Sequence, residues 1–167
     1  MQILKLAIEW AKAEVFSSRF FIAFGVLFVS ASIGFWQLGK TELAKSYIYP
    51  MLIAGALLLI VGIGIFYANK SRVTSFAIAY KDNSSKFIDS EIKRTEKSMG
   101  EYKTIVFKVI PVIIITAALL IIFIDKPLWR AIGITTIGMM IIILLVDSNA
   151  NVRLETYHSY LLQEKRH

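Results

Sequence analysis

The stretch that decides the fold is Thr104–Val146: TIVFKVIPVIIITAALLIIFI from Thr104 to Ile124, the turn Asp125-Lys126-Pro127, then LWRAIGITTIGMMIIILLV from Leu128 to Val146. Each apolar run is close to the ~20 residues that carry a helix across ~30 Å of hydrocarbon. Between them, Asp125 and Lys126 make a turn, and Pro127 suits the first turn of a new helix, where its missing N–H costs nothing. Two more such runs lie upstream, Phe20–Gly39 and Ile48–Tyr67, and the four together take up about half the chain. A soluble domain of this length could not bury four helices that are apolar on every side. The fold class is therefore all-α, a polytopic membrane protein of four transmembrane helices.

Composition agrees, at 56% hydrophobic and 19% charged over 167 residues, with mean hydropathy +0.62. A chain of this size makes one membrane domain, 1–167. The first apolar run is too long for a signal-peptide core and has no small-residue cleavage site after it, so no signal peptide is expected. There is no cysteine, which excludes disulfides, thiolate nucleophiles and cysteine metal sites. The net charge of +7 fits basic loops against anionic headgroups, with no nucleic-acid partner expected.

Loop charge orients the bundle. Lys5, Lys12 and Arg19 precede the first span, eight Lys and Arg residues lie between the second and third, and Arg153, Lys165 and Arg166 follow the fourth. The other two loops carry Lys40, Lys45, Lys126 and Arg130, so the balance is fourteen against four. The positive-inside rule then puts both termini and the central region in the cytoplasm. Trp36, Tyr47, Tyr49 and Trp129 form an outer aromatic belt, and Trp10, Tyr67 and Tyr102 fall near an inner one.

Outside the spans the chain still reads as helix. Gln2–Phe16 is amphipathic, with Ile3, Leu6, Ala7 and Trp10 on one face. It either lies in the headgroup plane or packs on the rest of the protein, with Ser17 and Ser18 offering caps before the first span. A cytoplasmic hairpin occupies about 68–103, turning at Lys81-Asp82-Asn83-Ser84-Ser85. From there Ile88, Ile92, Thr95, Met99 and Tyr102 recur in steps of four and three, and Val106, Val109, Ile113, Thr116, Leu120 and Phe123 continue the register. One unbroken third helix from Ser85 to Ile124 is expected, about 60 Å long. Phe66, Val73, Ala77 and Tyr80 extend the second helix inward. Ala150, Leu154, Tyr157 and Leu161 extend the fourth over about 147–164.

Catalytic chemistry has little to work with. His158 and His167 lie near an end expected to be exposed, and no His-Glu-x-x-His, Gly-x-Ser-x-Gly or phosphate-binding glycine loop occurs. No catalytic, cofactor-binding or metal-binding residue is expected, and no cofactor. The pairs of the hairpin, Glu91 with Arg94 and Glu96 near Lys103, read as a solvated helix surface. No Asp or Glu lies inside a span, which weighs against carboxylate relays. Lys108 is the one charge within a span. It can snorkel to the headgroups, or contact a partner, a lipid or a pore. Pro111 removes a backbone bond to Phe107 and should kink its helix. Ser30 and Gly34, with Ala54, Gly55, Gly62 and Gly64, form small-residue faces for close helix packing or for an oligomer interface. Arg130 anchors at the outer interface, or could select anions in a ring.

Glu91, Arg94, Met99 and Tyr102, then Leu128-Trp129-Arg130-Ala131-Ile132-Gly133, then Asp147, Ala150, Arg153 and Tyr157 carry a resemblance. Over Phe87–Leu161 the chain resembles a group of small, uncharacterised four-helix bacterial inner-membrane proteins. The resemblance implies the architecture and a bacterial inner-membrane location, and no activity or ligand. The expected function is a non-enzymatic bundle that works through protein contacts in the bilayer, with itself or another membrane protein: a complex subunit or an immunity-type protein. The alternative is a homo-oligomeric ion channel or small-solute transporter, resting on Lys108, Pro111 and Arg130.

Overall fold

A computed structural model describes residues 2–166, and no strand occurs among them. The chain folds as α1 (Gln2–Leu38), a short α2 (Glu42–Ser46), α3 (Ile48–Asp82), α4 (Ser84–Glu101), a π-helical segment (Tyr102–Val109), α5 (Ile110–Phe123) and α6 (Pro127–Lys165). Because α4, the π segment and α5 follow one another without a loop, the fold is four long rods joined by tight turns. Four helices are long and apolar enough to cross a membrane. Rods of 35 to 40 residues run roughly 50–60 Å, well beyond the ~30 Å of hydrocarbon. The molecule therefore has an apolar end and a polar end, each with its own core.

At the apolar end α1 lies against α3 through glycine. A Cβ added at Gly25 would come within 3.0 Å of the Gly55 carbonyl oxygen, and one at Gly55 within 2.9 Å of the Gly25 carbonyl oxygen. A Cβ on Gly62 would strike Phe21 at 2.8 Å. The two backbones touch because nothing larger than hydrogen lies between them. Ser30 is exposed, and neither Gly34 nor Gly64 meets anything, so the expected Ser30–Gly34 face is not where the helices approach. Phe21, Phe28, Ala54 and Leu58 fill the space beside the glycine contact. α5 packs on α6 and makes no contact with α3, so the second and third rods part within the apolar end.

At the polar end Ile3, Ala7, Trp10 and Ala11 of α1 are buried with Phe76, Phe87, Ile88, Ile92, Leu154, Tyr157 and Leu161. The amphipathic start of the chain is thus part of the core. It is also continuous with the first span. Ser17 and Ser18 do not cap a second helix: the Ser18 hydroxyl donates to the Val15 carbonyl at 2.8 Å, and Ser17 accepts from Arg153. The reason is periodic. Buried Ile3, Ala7, Trp10, Glu14, Ser17, Phe21 and Gly25 follow one four-three seam, which runs straight through the serines. Trp10 is core, not an interfacial anchor.

The turn at Asn83 forms as read. Its side chain accepts from the Lys86 N–H at 2.9 Å and starts α4. Pro127 likewise starts α6, and Arg130 pairs with Asp125 of the turn at 2.9 Å. The third rod is continuous from Ser84 to Phe123, but its register changes in the middle. Val106, Ile110 and Ala117 are buried, while Val109, Thr116 and Phe123 of the expected seam are exposed. The disturbance ahead of Pro111 is eight π-helical residues, ending where the Ile110 N–H reaches the Ile105 carbonyl. A prolyl ring collides with the carbonyl four residues back, and the wider turn relieves that collision. In a π turn the seam recurs every four residues, which is the spacing of Tyr102, Val106 and Ile110.

Candidate functional site

The four rods meet beneath the apolar end, and there the packing turns polar. Glu91 on α4 is 5% exposed. Both its oxygens accept from Arg94, Nε at 2.8 Å and Nη2 at 2.7 Å, and its Oε2 also accepts from the Tyr157 hydroxyl at 3.1 Å. The Arg94 guanidinium lies 4.3 Å from the centre of the Trp10 ring, and Trp10 stacks on Tyr157 at 5.6 Å. This set is not the solvated helix surface that its spacing suggests. Residues three apart on a helix are neighbours whether they face water or core. Here Trp10 and Tyr157, brought from α1 and α6, close over the pair.

A second buried pair ties the first rod to the last. Arg153 donates to Glu14 Oε1 at 2.9 Å through Nη2 and to Ser17 at 2.8 Å. Glu14 falls on the α1 seam at a position that an apolar residue would ordinarily hold. Arg72 on α3 donates to Asn69 at 2.7 Å and sits 5.8 Å from the same Trp10 ring. His158 is half-buried, with Nδ1 2.7 Å from the hydroxyl of buried Thr95, and is not a free end residue. His167 lies outside the described residues.

These groups surround a cavity of about 160 Å³, whose wall includes Trp10, Glu14, Asn69, Arg72, Arg94, Ser98, Tyr102 and Asp147. Phe21, Ile65 and Val146 form its apolar side. Ser98, Tyr102 and Asp147 also line a neighbouring pocket of about 220 Å³ against the π segment. The electrostatics follow from burial. Desolvation lowers the Arg72 guanidinium, and the positive charge of Arg94 lowers it further, against the pull of Glu91 and Glu14. Burial pushes the Asp147 carboxyl up to about 7, with the Glu14 carboxylate adding to the rise. Burial raises both Tyr102 and Tyr157, the first also through Asp147 and the second also through Glu91. The arrangement can hold a charged or hydrogen-bonding guest between fixed groups. Among the described residues no three His, Asp or Glu side chains gather as a metal site.

The residues singled out in the sequence lie elsewhere. Lys108 is exposed in the last turn of the π segment, without an ion pair among the described residues. Pro111 is half-buried just beyond it, and Arg130 sits at the opposite end of the molecule on Asp125. The structure brings Lys108 and Pro111 near each other along one helix and joins neither to Arg130. Sequence reasoning missed Glu14, Arg72, Asp147 and the burial of Glu91. The one available signal was the four-three seam of α1, on which Glu14 stands as a charge among apolar positions. No family model matches the chain, and no curated protein or solved structure is significantly similar to it.

Proposed function

We propose that this chain is a non-enzymatic helical bundle of the bacterial inner membrane, both ends in the cytoplasm, acting through contacts with other proteins as a complex subunit or an immunity-type protein. The orientation rests on the fourteen-to-four asymmetry of basic residues. The observation that carries the functional reading is the polar-end body. Anchoring needs only the spans, yet every rod continues into a second core locked by Glu91–Arg94 and Glu14–Arg153. Such a body keeps its outer face fixed. On that face Val152 and Tyr160 of α6 remain exposed beside Leu6 of α1.

The test has two arms. Photo-crosslinking residues at Val152 and Tyr160 should give a discrete protein adduct in cells, and the same residue at Ile122 should give none. Reporter fusions after Lys81 and at the C-terminus should both report cytoplasm. A periplasmic signal at either, or silence at both crosslinking positions, overturns the proposal.

The runner-up is a homo-oligomeric channel or small-solute transporter, favoured by the charged cavity beneath the apolar end. Reconstituted protein should pass no current. A current carried by the reconstituted protein and abolished by Arg72→Gln, on the cavity wall, would replace the first reading with this one.

A further inference from the structure

Two guanidinium groups approach one indole ring, Arg94 at 4.3 Å and Arg72 at 5.8 Å from its centre, and both line the same cavity. Arg94 spends two donors on Glu91. Arg72 makes no ion pair among the described residues, and its one side-chain partner there is the neutral Asn69. Of the charged groups on this wall, Arg94 is paired with Glu91 and Glu14 with Arg153, which leaves Arg72 as the guanidinium that no carboxylate holds. Trp10 itself lines the cavity, and its ring holds the two guanidinium groups on one wall.

We infer that the cavity is a binding site for a phosphate-type oxyanion, held chiefly by the guanidinium groups of Arg72 and Arg94. Planar guanidinium donors match phosphate oxygens in pairs, and such charge-assisted bonds are the strong ones. Two carboxyls share the wall. Glu14 is held by Arg153 and Ser17, and Asp147 lies at the edge shared with the neighbouring pocket. Size agrees: 160 Å³ is about what a benzene-sized guest occupies, which admits a phosphate group and excludes a whole lipid.

The same chemistry has two sources. A free phosphate could enter from the polar side. Alternatively the group is the phosphodiester of an anionic lipid whose tails leave through the gap between the second and third rods, along the apolar wall of Phe21, Ile65 and Val146. Basic pockets between membrane helices at headgroup depth take lipid headgroups in this way. The lipid source rests on the membrane reading. The oxyanion site does not, so its test stands apart from the crosslinking and current measurements.

The experiment uses the full chain in a neutral detergent with Trp36→Phe and Trp129→Phe, so that fluorescence reports Trp10. The probes are inorganic phosphate, dihexanoyl phosphatidylglycerol and dihexanoyl phosphatidylcholine, at matched ionic strength. Saturable fluorescence change and a higher melting midpoint are expected, with the apparent Kd rising about tenfold or more in Arg72→Gln and less in Arg72→Lys. Without probe, Arg72→Gln should melt no lower than the parent, because it removes the repulsion with Arg94; this separates loss of binding from loss of fold. Arg130→Gln, at the far end, should bind as the parent does. Response to phosphate and lipid alike supports a site open to free anion, and response to phosphatidylglycerol alone supports a headgroup site. No saturable response to any probe, or an equal one in Arg72→Gln, overturns the inference.

Discussion

Replacing Glu91 with Gln removes one charge and keeps the shape. The structure fixes what that costs. Glu91 is 5% exposed and anchors three hydrogen bonds, two from Arg94 and one from Tyr157. Removing one partner of a buried pair costs ~3–5 kcal/mol, because the other charge is left without compensation. Arg94 keeps some solvent, at 23% side-chain exposure, and keeps the face of Trp10. Glu91→Gln should therefore cost less, about 2–3 kcal/mol, the low end of that range discounted for the remaining solvation. Tyr157→Phe loses one long bond to a charged acceptor, worth ~1.5 kcal/mol. In the double variant the costs should fall short of additive by ~0.5–1 kcal/mol, since the hydroxyl then faces a neutral amide. The assay is denaturant unfolding in micelles followed by Trp10 emission, with Trp36 and Trp129 replaced by Phe. A solvated helix pair is worth only ~0.3–0.5 kcal/mol. If Glu91→Gln costs no more than that and adds independently to Tyr157→Phe, the buried ionic core is refuted.

Gly55→Ala should destabilise the protein by ~1–3 kcal/mol by overpacking against the Gly25 carbonyl, whereas Gly64→Ala, with nothing near its Cβ, should be neutral or slightly stabilising; melting curves in detergent read both. Because the chain has no cysteine, single cysteines map the π segment cleanly: Val109→Cys should react with a membrane-soluble maleimide well before Ile110→Cys, with Val106→Cys slow as well, and an Ile110→Cys faster than Val109→Cys would restore the unbroken seam. Asp147 has a native pKa raised to about 7 from an ordinary 3.8, so the native state binds the extra proton. Its stabilising effect is complete below about pH 4 and is lost as pH rises through 7. Asp147→Asn should flatten that stretch of the stability profile and exceed the parent by ~1–2 kcal/mol at pH 8, after discount for partial solvation. A variant as pH-dependent as the parent would show that another group titrates.

Sequence periodicity carried most of the architecture. The two turns at Asn83 and Pro127 and the inward extension of α6 through Ala150, Leu154, Tyr157 and Leu161 are local signals, and each appears in the structure. The π segment was legible only as trouble at Pro111: a missing N–H shows that a turn must change, not which wider turn relieves it. The candidate site was almost wholly hidden. Glu91 and Arg94 have the spacing of any surface pair, and Trp10 that of any interfacial anchor. What joins Glu91 to Trp10 is Tyr157, 66 residues from Glu91 along the chain. Charge at Glu14 was the single local anomaly, and its partner Arg153 had already been read as part of a topological signal.

That long reach has a consequence for how the protein is made. The Glu14–Arg153 bond closes over 139 residues, and the ring stacked on Trp10 belongs to the last helix. With only three rods released by the ribosome, Ile3, Ala7 and Trp10 can meet Phe76, Phe87, Ile88 and Ile92, but the side that Leu154, Tyr157 and Leu161 cover stays open to water. The polar end closes only once Leu154 and Tyr157 are in place, so the fourth rod completes the core. A chain stalled before that point would display an unpaired apolar seam beside the membrane, a mark by which proteolysis can tell an unfinished molecule from a finished one.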